Sequence, residues 1–168
     1  TGLLSATEGV GDEAPLRAFK GPTVASARVD QSPPTDARLV ATETLDTDAT
    51  VRIYDAPGTE LRTYHLSPVE CEFGPEAMAT LDRARERLAT GAVGTGERAP
   101  MRAVRAVADS DESRLAAVLS KHTRGDGVLE DFFADPAVTD VLAPAPAAAG
   151  DLRVCRDGET MRTNVRLT

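Results

Sequence analysis

The sequence contains no tryptophan, and Phe and Tyr together make up only 4% of its 168 residues. An interior must therefore be assembled mostly from Ala, Val and Leu. Apolar burial contributes about 25 cal/mol per Å², so small side chains leave a thin stability margin. Lysine is scarcer still, since Lys20 and Lys121 are the only two among nineteen basic residues. A phosphate-cradling loop needs G-x-x-x-x-G-K-[ST], with the Lys on the β/γ-phosphates and a hydroxyl on Mg²⁺. Lys20 follows Phe19 and Lys121 follows Ser120, so neither belongs to such a loop.

Cysteine is limited to Cys71 and Cys155, too few and too far apart for a disulfide framework or a CxxC pair, which fits a reducing, cytoplasmic setting. With His65 and His122 they lack the short ligand spacings of structural zinc, so no metal ligand or Cys nucleophile is assigned. His65 reads as the end of a strand, and His122 as a residue near a helix C-terminus, where a cation is favoured. No apolar run approaches the roughly 20 residues of a membrane helix, and no basic segment followed by an apolar stretch opens the chain. Direct membrane insertion is not expected. The first residue is Thr1 rather than Met, which suggests a piece of a longer polypeptide.

What is abundant is acid. With 27 Asp+Glu against 19 Lys+Arg, the net charge is −8, a field that repels nucleic acid and anionic headgroups. An ordinary acidic protein is one reading. The shortage of Lys favours a surface adapted to a high-salt cytoplasm, where the Debye length is about 3 Å or less.

Along the chain, residues 1–35 read as a poorly ordered acidic arm rich in Pro and Gly ("TEGVGDEAP", "FKGP", "DQSPPTD"), in which Leu16 and Phe19 could dock locally. Residues 36–66 read as a small antiparallel meander: "RLVATETL", a turn at "DTDA", "TVRIYDA", a turn at Pro57-Gly58, and "ELRTYHL", with Val51 and Ile53 on one face. Residues 67–126 read as a three-helix bundle. Pro75 opens the first helix, with Met78, Leu81 and Leu88 on its stripe and Gly91 at its end. The second buries Met101, Val104 and Val107 or Ala108. The third starts at an Asp or Ser cap and presents Leu115, Val118 and Leu119. The arginine row at 83, 85 and 87 reads as a solvated face, with partner binding as the alternative.

Residues 127–168 read as the start of an α/β unit of helix, strand and hairpin, cut short at Thr168. Val128, Leu129, Phe132 and Phe133 form the apolar face of a helix that Asp135-Pro136 ends, and Val138 to Leu142 is the strand. "DLRVCR", an Asp157-Gly158 turn and "ETMRTNVRL" form the hairpin, whose last strand runs to the end with no partner for its outer edge. The fold class expected is α+β.

Three polar residues stand out as structural or interface positions: Asp140, Asn164 and Arg166. Asp140 lies inside an apolar run, where an unpaired carboxylate is costly. Either its strand is an edge with Asp140 facing water, or the carboxylate bonds an Arg or a turn N–H near Thr163-Asn164.

Leu129, Asp135-Pro136, Val138, Asp140-Val141, Val154, Asp157-Gly158, Met161 and Thr163-Asn164 together resemble the pattern "L-x-D-P-x-V-x-D-[IV] … V … G-x-M-x-T-N". That pattern is from the N-terminal region of type II/IV secretion-system ATPases, the motors of pilus assembly, the archaellum and secretion. The upstream "YHLSPVECEFGPEAMATLDRARERL" is similar to the archaeal branch, and the resemblance spans about residues 60–168. It implies a hexameric cytoplasmic ATPase, peripheral to a membrane platform protein, whose N-terminal region packs on its own RecA-like motor domain and on neighbouring subunits. ATP and Mg²⁺ belong to that motor domain, so no cofactor and no catalytic residue is expected in this segment. The alternative is a freestanding adaptor that binds a partner through an exposed β edge.

Overall fold

The computed structural model describes residues 27–168. The expectation of an acidic arm with Leu16 and Phe19 docked therefore falls, over residues 1–26, outside the described residues. From residue 27 onward the chain is α+β. Strand β1 (Ala27–Val29) precedes the meander of β2 (Arg38–Thr44), β3 (Thr50–Asp55) and β4 (Thr63–Ser67). A 3-10 turn at Val69–Glu72 leads into α1 (Pro75–Ala89), α2 (Ala99–Arg105) and α3 (Glu112–Thr123). Helix α4 (Leu129–Phe133), β5 (Val138–Leu142), β6 (Arg153–Arg156), β7 (Glu159–Thr163) and β8 (Val165–Leu167) complete the order.

The division into a meander at 36–66 and a separate unit at 127–168 is corrected by the sheet itself. Six strands form one sheet in the order β2-β3-β4-β7-β6-β5. β4 pairs parallel with β7, Tyr64 opposite Thr163, and every other pairing in the sheet is antiparallel. A parallel join needs a long crossover, and the helical bundle lies within it. At the β6–β7 turn both Asp157 (φ 51°) and Gly158 (φ 79°) are left-handed, as a type I′ hairpin requires.

Period-2 alternation turns Val51, Ile53, Tyr64, Leu66, Val154 and Met161 to one face, where they bury Phe132 of α4 and Val128 at its N-cap. The sheet curls around that helix. Glu43 on β2 and Arg156 on β6 stand four strand positions apart, about 19 Å in a flat sheet, yet their side chains meet at 2.6 Å. The bundle has a second core of Leu81, Ala84, Ala103, Val104, Leu115, Val118 and Leu119. Ala84 and Ala103 are wholly buried, letting α1 and α2 approach closely.

Four further expectations are corrected. The outer edge of the last strand is partnered: the chain bends at Asn164, and β8 pairs with β1, a strand within the segment read as an arm. Phe133 is 62% exposed. At about 100° per residue, the buried face of α4 is centred on Val128, Asp131, Phe132 and Asp135, and Phe133 points away from it. Asp111 occupies the N-cap position of α3 but is left-handed (φ 53°) and makes no side-chain cap. His65 lies in the middle of β4 rather than at its end.

Candidate functional site: a buried polar junction between the two lobes

Between the bundle and the sheet lies a cluster of charged side chains withdrawn from water. The 3-10 turn after β4 supplies Glu70, the C-terminal turn of α3 supplies Lys121 and His122, and α4 supplies Asp131; Glu70 and Asp131 are completely buried and Lys121 is 6% exposed. Local sequence explains the placement. The α3 stripe of Leu115, Val118 and Leu119 continues at helical spacing to His122, with Lys121 beside it.

Lys121 Nζ sits 2.8 Å from Glu70 Oε1 and 2.6 Å from Asp131 Oδ2, bridging the two lobes. His122 Nε2 is 2.6 Å from Glu70 Oε1. Burial works to raise the Glu70 carboxyl, but the His122 hydrogen bond and the Lys121 charge overcome it and hold the group at about 2. Burial likewise works against the Lys121 charge, and Glu70 and Asp131 outweigh it, leaving the ammonium above its ordinary range. Asp131 goes the other way: burial raises it more than Lys121 lowers it. Among the described residues its Oδ1 has no hydrogen-bond partner, nor does the nearby Thr47 hydroxyl, which favours the charged carboxylate without reaching hydrogen-bond geometry. Cys71, next to Glu70, is pushed up to about 12 by burial and then by the Glu70 charge, which keeps it a thiol rather than a nucleophile.

A second chain of contacts runs from Asp135, just past the end of the same helix, into the sheet. The Tyr64 hydroxyl donates to Asp135 Oδ2 at 3.0 Å, and Arg156 Nε donates to the same oxygen at 3.0 Å while its Nη2 reaches Glu43. Asp135 Oδ1 accepts the Ala137 N–H at 2.9 Å, bridging Pro136 and fixing the turn into β5. Burial first, and Asp135 second, raise the Tyr64 phenol, which stays a donor. Phe132 stacks on Tyr64 with ring centroids 5.6 Å apart.

Of the three positions singled out from sequence, Asn164 has the most specific geometry. Its side-chain amide accepts the Leu66 N–H at 2.7 Å and donates to the Leu66 and Asp30 carbonyls at 2.8 and 2.7 Å, so it continues the β4–β7 ladder past the point where the backbone turns away. Arg166 pairs with Asp151 at 3.0 Å and borders the same cleft as Asn164. Asp140 lies outside that cleft on edge strand β5, exposed, and among the described residues its carboxylate accepts only the neighbouring Thr139 hydroxyl, at 2.9 Å. This matches the first of its two readings.

The residues missed from sequence are Glu70, Lys121, Asp131 and the Tyr64–Asp135–Arg156 chain. A signal was present for Lys121 and Asp131: both fall on apolar helical faces in a chain poor in Lys. Chemically, the junction's charged groups are buried, and the Lys121 ammonium is held in it between two carboxylates. Among the described residues no group of three or more His, Cys, Asp or Glu is arranged to hold a metal ion, and no helix is long and apolar enough to cross a membrane. Compared with known proteins, the chain matches no protein-family model and no curated protein.

Proposed function

We propose that this chain is the non-catalytic N-terminal module of a type II/IV secretion or pilus-assembly ATPase, serving subunit packing, docking to the membrane platform and transfer of motor motion. The observation that carries the reading is where the residues of the resemblance lie. Asp135 anchors Tyr64 and Arg156, Asp157-Gly158 forms the hairpin turn, Val154 and Met161 fill the core, and Asn164 splices β4 to the last strands. These scattered positions converge on the joints of one sheet. Two lobes clamped by a dry ionic junction suit a part that passes force between neighbours, because breaking such a pair leaves a buried charge uncompensated at a cost of about 3–5 kcal/mol.

In this reading the partners are its own RecA-like motor domain, neighbouring subunits and a membrane platform protein, in the cytoplasm and peripheral to the membrane. ATP and Mg²⁺ are bound by the motor domain. The test is the reading frame downstream of Thr168: a continuation that encodes G-x-x-x-x-G-K-[ST] supports the proposal, and termination without one overturns it.

A freestanding adaptor is the second reading, favoured by the two sheet edges. Leu39 and Val40 on β2 and Leu142 on β5 are 50, 42 and 48% exposed, on strands with one unpaired side each.

A further inference from the structure

In a molecule of net charge −8, four arginines are gathered where the β6–β7 hairpin of the six-stranded sheet meets the separate two-stranded β1–β8 sheet. Arg153 on β6 stands directly opposite Arg162 on β7, and Arg28 on β1 directly opposite Arg166 on β8. Like charges directly opposite across an antiparallel pair repel and destabilise it. All four side chains are exposed, and Arg153 and Arg162 alternate with the buried Val154 and Met161, so they point away from the core. They border two adjoining clefts of about 580 and 410 Å³ that share Asp151 and Arg162. Arg166 is paired with Asp151. Among the described residues Arg28, Arg153 and Arg162 have no anionic partner, as is true of Arg83, Arg87 and Arg124; what sets this corner apart is that its arginines stand directly opposite one another. Both opposed pairs are thus same-sign, and of the four only Arg166 has an anionic partner among the described residues.

We propose that this corner, formed by β6, β7, β8 and β1, is a docking surface for an acidic segment of another polypeptide. Guanidinium groups present forks that match carboxylates in a bidentate manner, which lysines would not. Carboxylates spaced along an extended peptide can meet the Arg heads one by one while avoiding Asp30 and Asp151, which border the smaller cleft and disfavour a compact multiply charged anion. The −8 field disfavours nucleic acid and anionic membrane, whose charge density is far higher. Binding of the segment replaces each Arg–Arg repulsion with Arg–carboxylate pairs.

The test uses the full chain and a fluorescein-labelled hexaglutamate peptide, read by anisotropy in about 20 mM KCl, where the Debye length lies between about 10 and 30 Å. Saturable binding is expected. The double variant Arg28→Thr/Arg162→Thr should weaken it by about tenfold or more, with a melting temperature unchanged or raised, since one member of each repelling pair is gone. The control Arg38→Ser/Arg105→Ser, with the same change in net charge, should bind within about twofold of the parent. Absence of saturable binding, an equal loss in the control, or a lower melting temperature in the double variant would overturn the proposal. So would tighter binding of pyrophosphate, an oligothymidylate or phosphatidylserine vesicles than of the peptide. A gain of about tenfold in a Glu8→Gln/Asp12→Asn/Glu13→Gln variant would also overturn it, by assigning the surface to the chain's own acidic segment.

Discussion

Lys121 Nζ and Asp131 Oδ2 lie 2.6 Å apart with almost no access to water, so the last turn of the third bundle helix is tied directly to the helix enclosed by the sheet. Replacing Lys121 by Met leaves Glu70 and Asp131 buried without their cation. Urea denaturation at neutral pH is expected to show a loss of about 3–5 kcal/mol. A triple replacement Lys121→Met/Glu70→Leu/Asp131→Leu should recover much of it, because an apolar set of similar volume needs no pairing. A single variant as stable as the parent would show that the pair does not hold the lobes together.

Acid should loosen the junction through Glu70. Its folded-state value of about 2 lies below the ordinary 4.5, so its contribution is fully present above pH 4.5 and is lost as pH falls toward 2. The loss is on the order of 3 kcal/mol, reduced by Asp131, whose raised value favours the protonated folded state on the same descent. Glu70→Gln should start less stable at neutral pH and show a flatter curve between pH 4.5 and 2. An equally steep curve would place the acid sensitivity elsewhere.

Asn164→Ala removes three hydrogen bonds at once, two of them on the backbone of Leu66. At about 0.5–1.5 kcal/mol each, the expected cost is about 2–3 kcal/mol. Amide exchange at Leu66 should accelerate by at least about tenfold, while Leu81 and Leu119 in the bundle core keep the parent rates. Uniform acceleration across both lobes would argue against a local splice.

Salt should act on the surface and spare the interior. With −8 net charge, the melting temperature is expected to rise from about 0.1 M to multimolar KCl as repulsion is screened and apolar burial strengthens. The penalty of Lys121→Met should stay nearly constant over that range, since a dry ion pair is poorly screened. A flat or falling melting temperature would contradict the high-salt reading of the composition.

The isolated chain is expected to show no magnesium-dependent ATP hydrolysis above a buffer blank, because neither Lys20 nor Lys121 sits in a phosphate loop and Lys121 is held between two carboxylates. Turnover that persists through further purification would contradict this.

Local signals in the sequence were reliable where the decisive physics is local. Pro75 and the Met78–Leu81–Leu88 stripe mark α1, Val51 and Ile53 mark the inner face of β3, and Asp157-Gly158 marks the hairpin. What escaped depends on partners far away in the chain. The β4–β7 pairing brings Tyr64 to Thr163, and nothing near either residue announces the other. β1 is three residues among Pro, Gly and acid, and exists because β8 offers it a ladder. Asp135 reads as the residue of an Asp-Pro turn and Asp131 drew no reading, yet both are buried, where Lys121 and Arg156 meet them. Of the site, Asn164 was legible as a position but not as a splice.

The parallel pairing also sets an order of events at the ribosome. Strands β2 to β4 emerge with Val51, Ile53 and Leu66 lacking cover, and their neighbour β7 is made about 95 residues later, on the order of ten seconds at ordinary translation rates. The helical bundle needs only contacts within itself and can form in the interval. A nascent chain paused before Glu159 therefore displays a finished bundle attached to a sticky half-sheet, the species that chaperones would be expected to recognise and that a slow codon run in this stretch would accumulate.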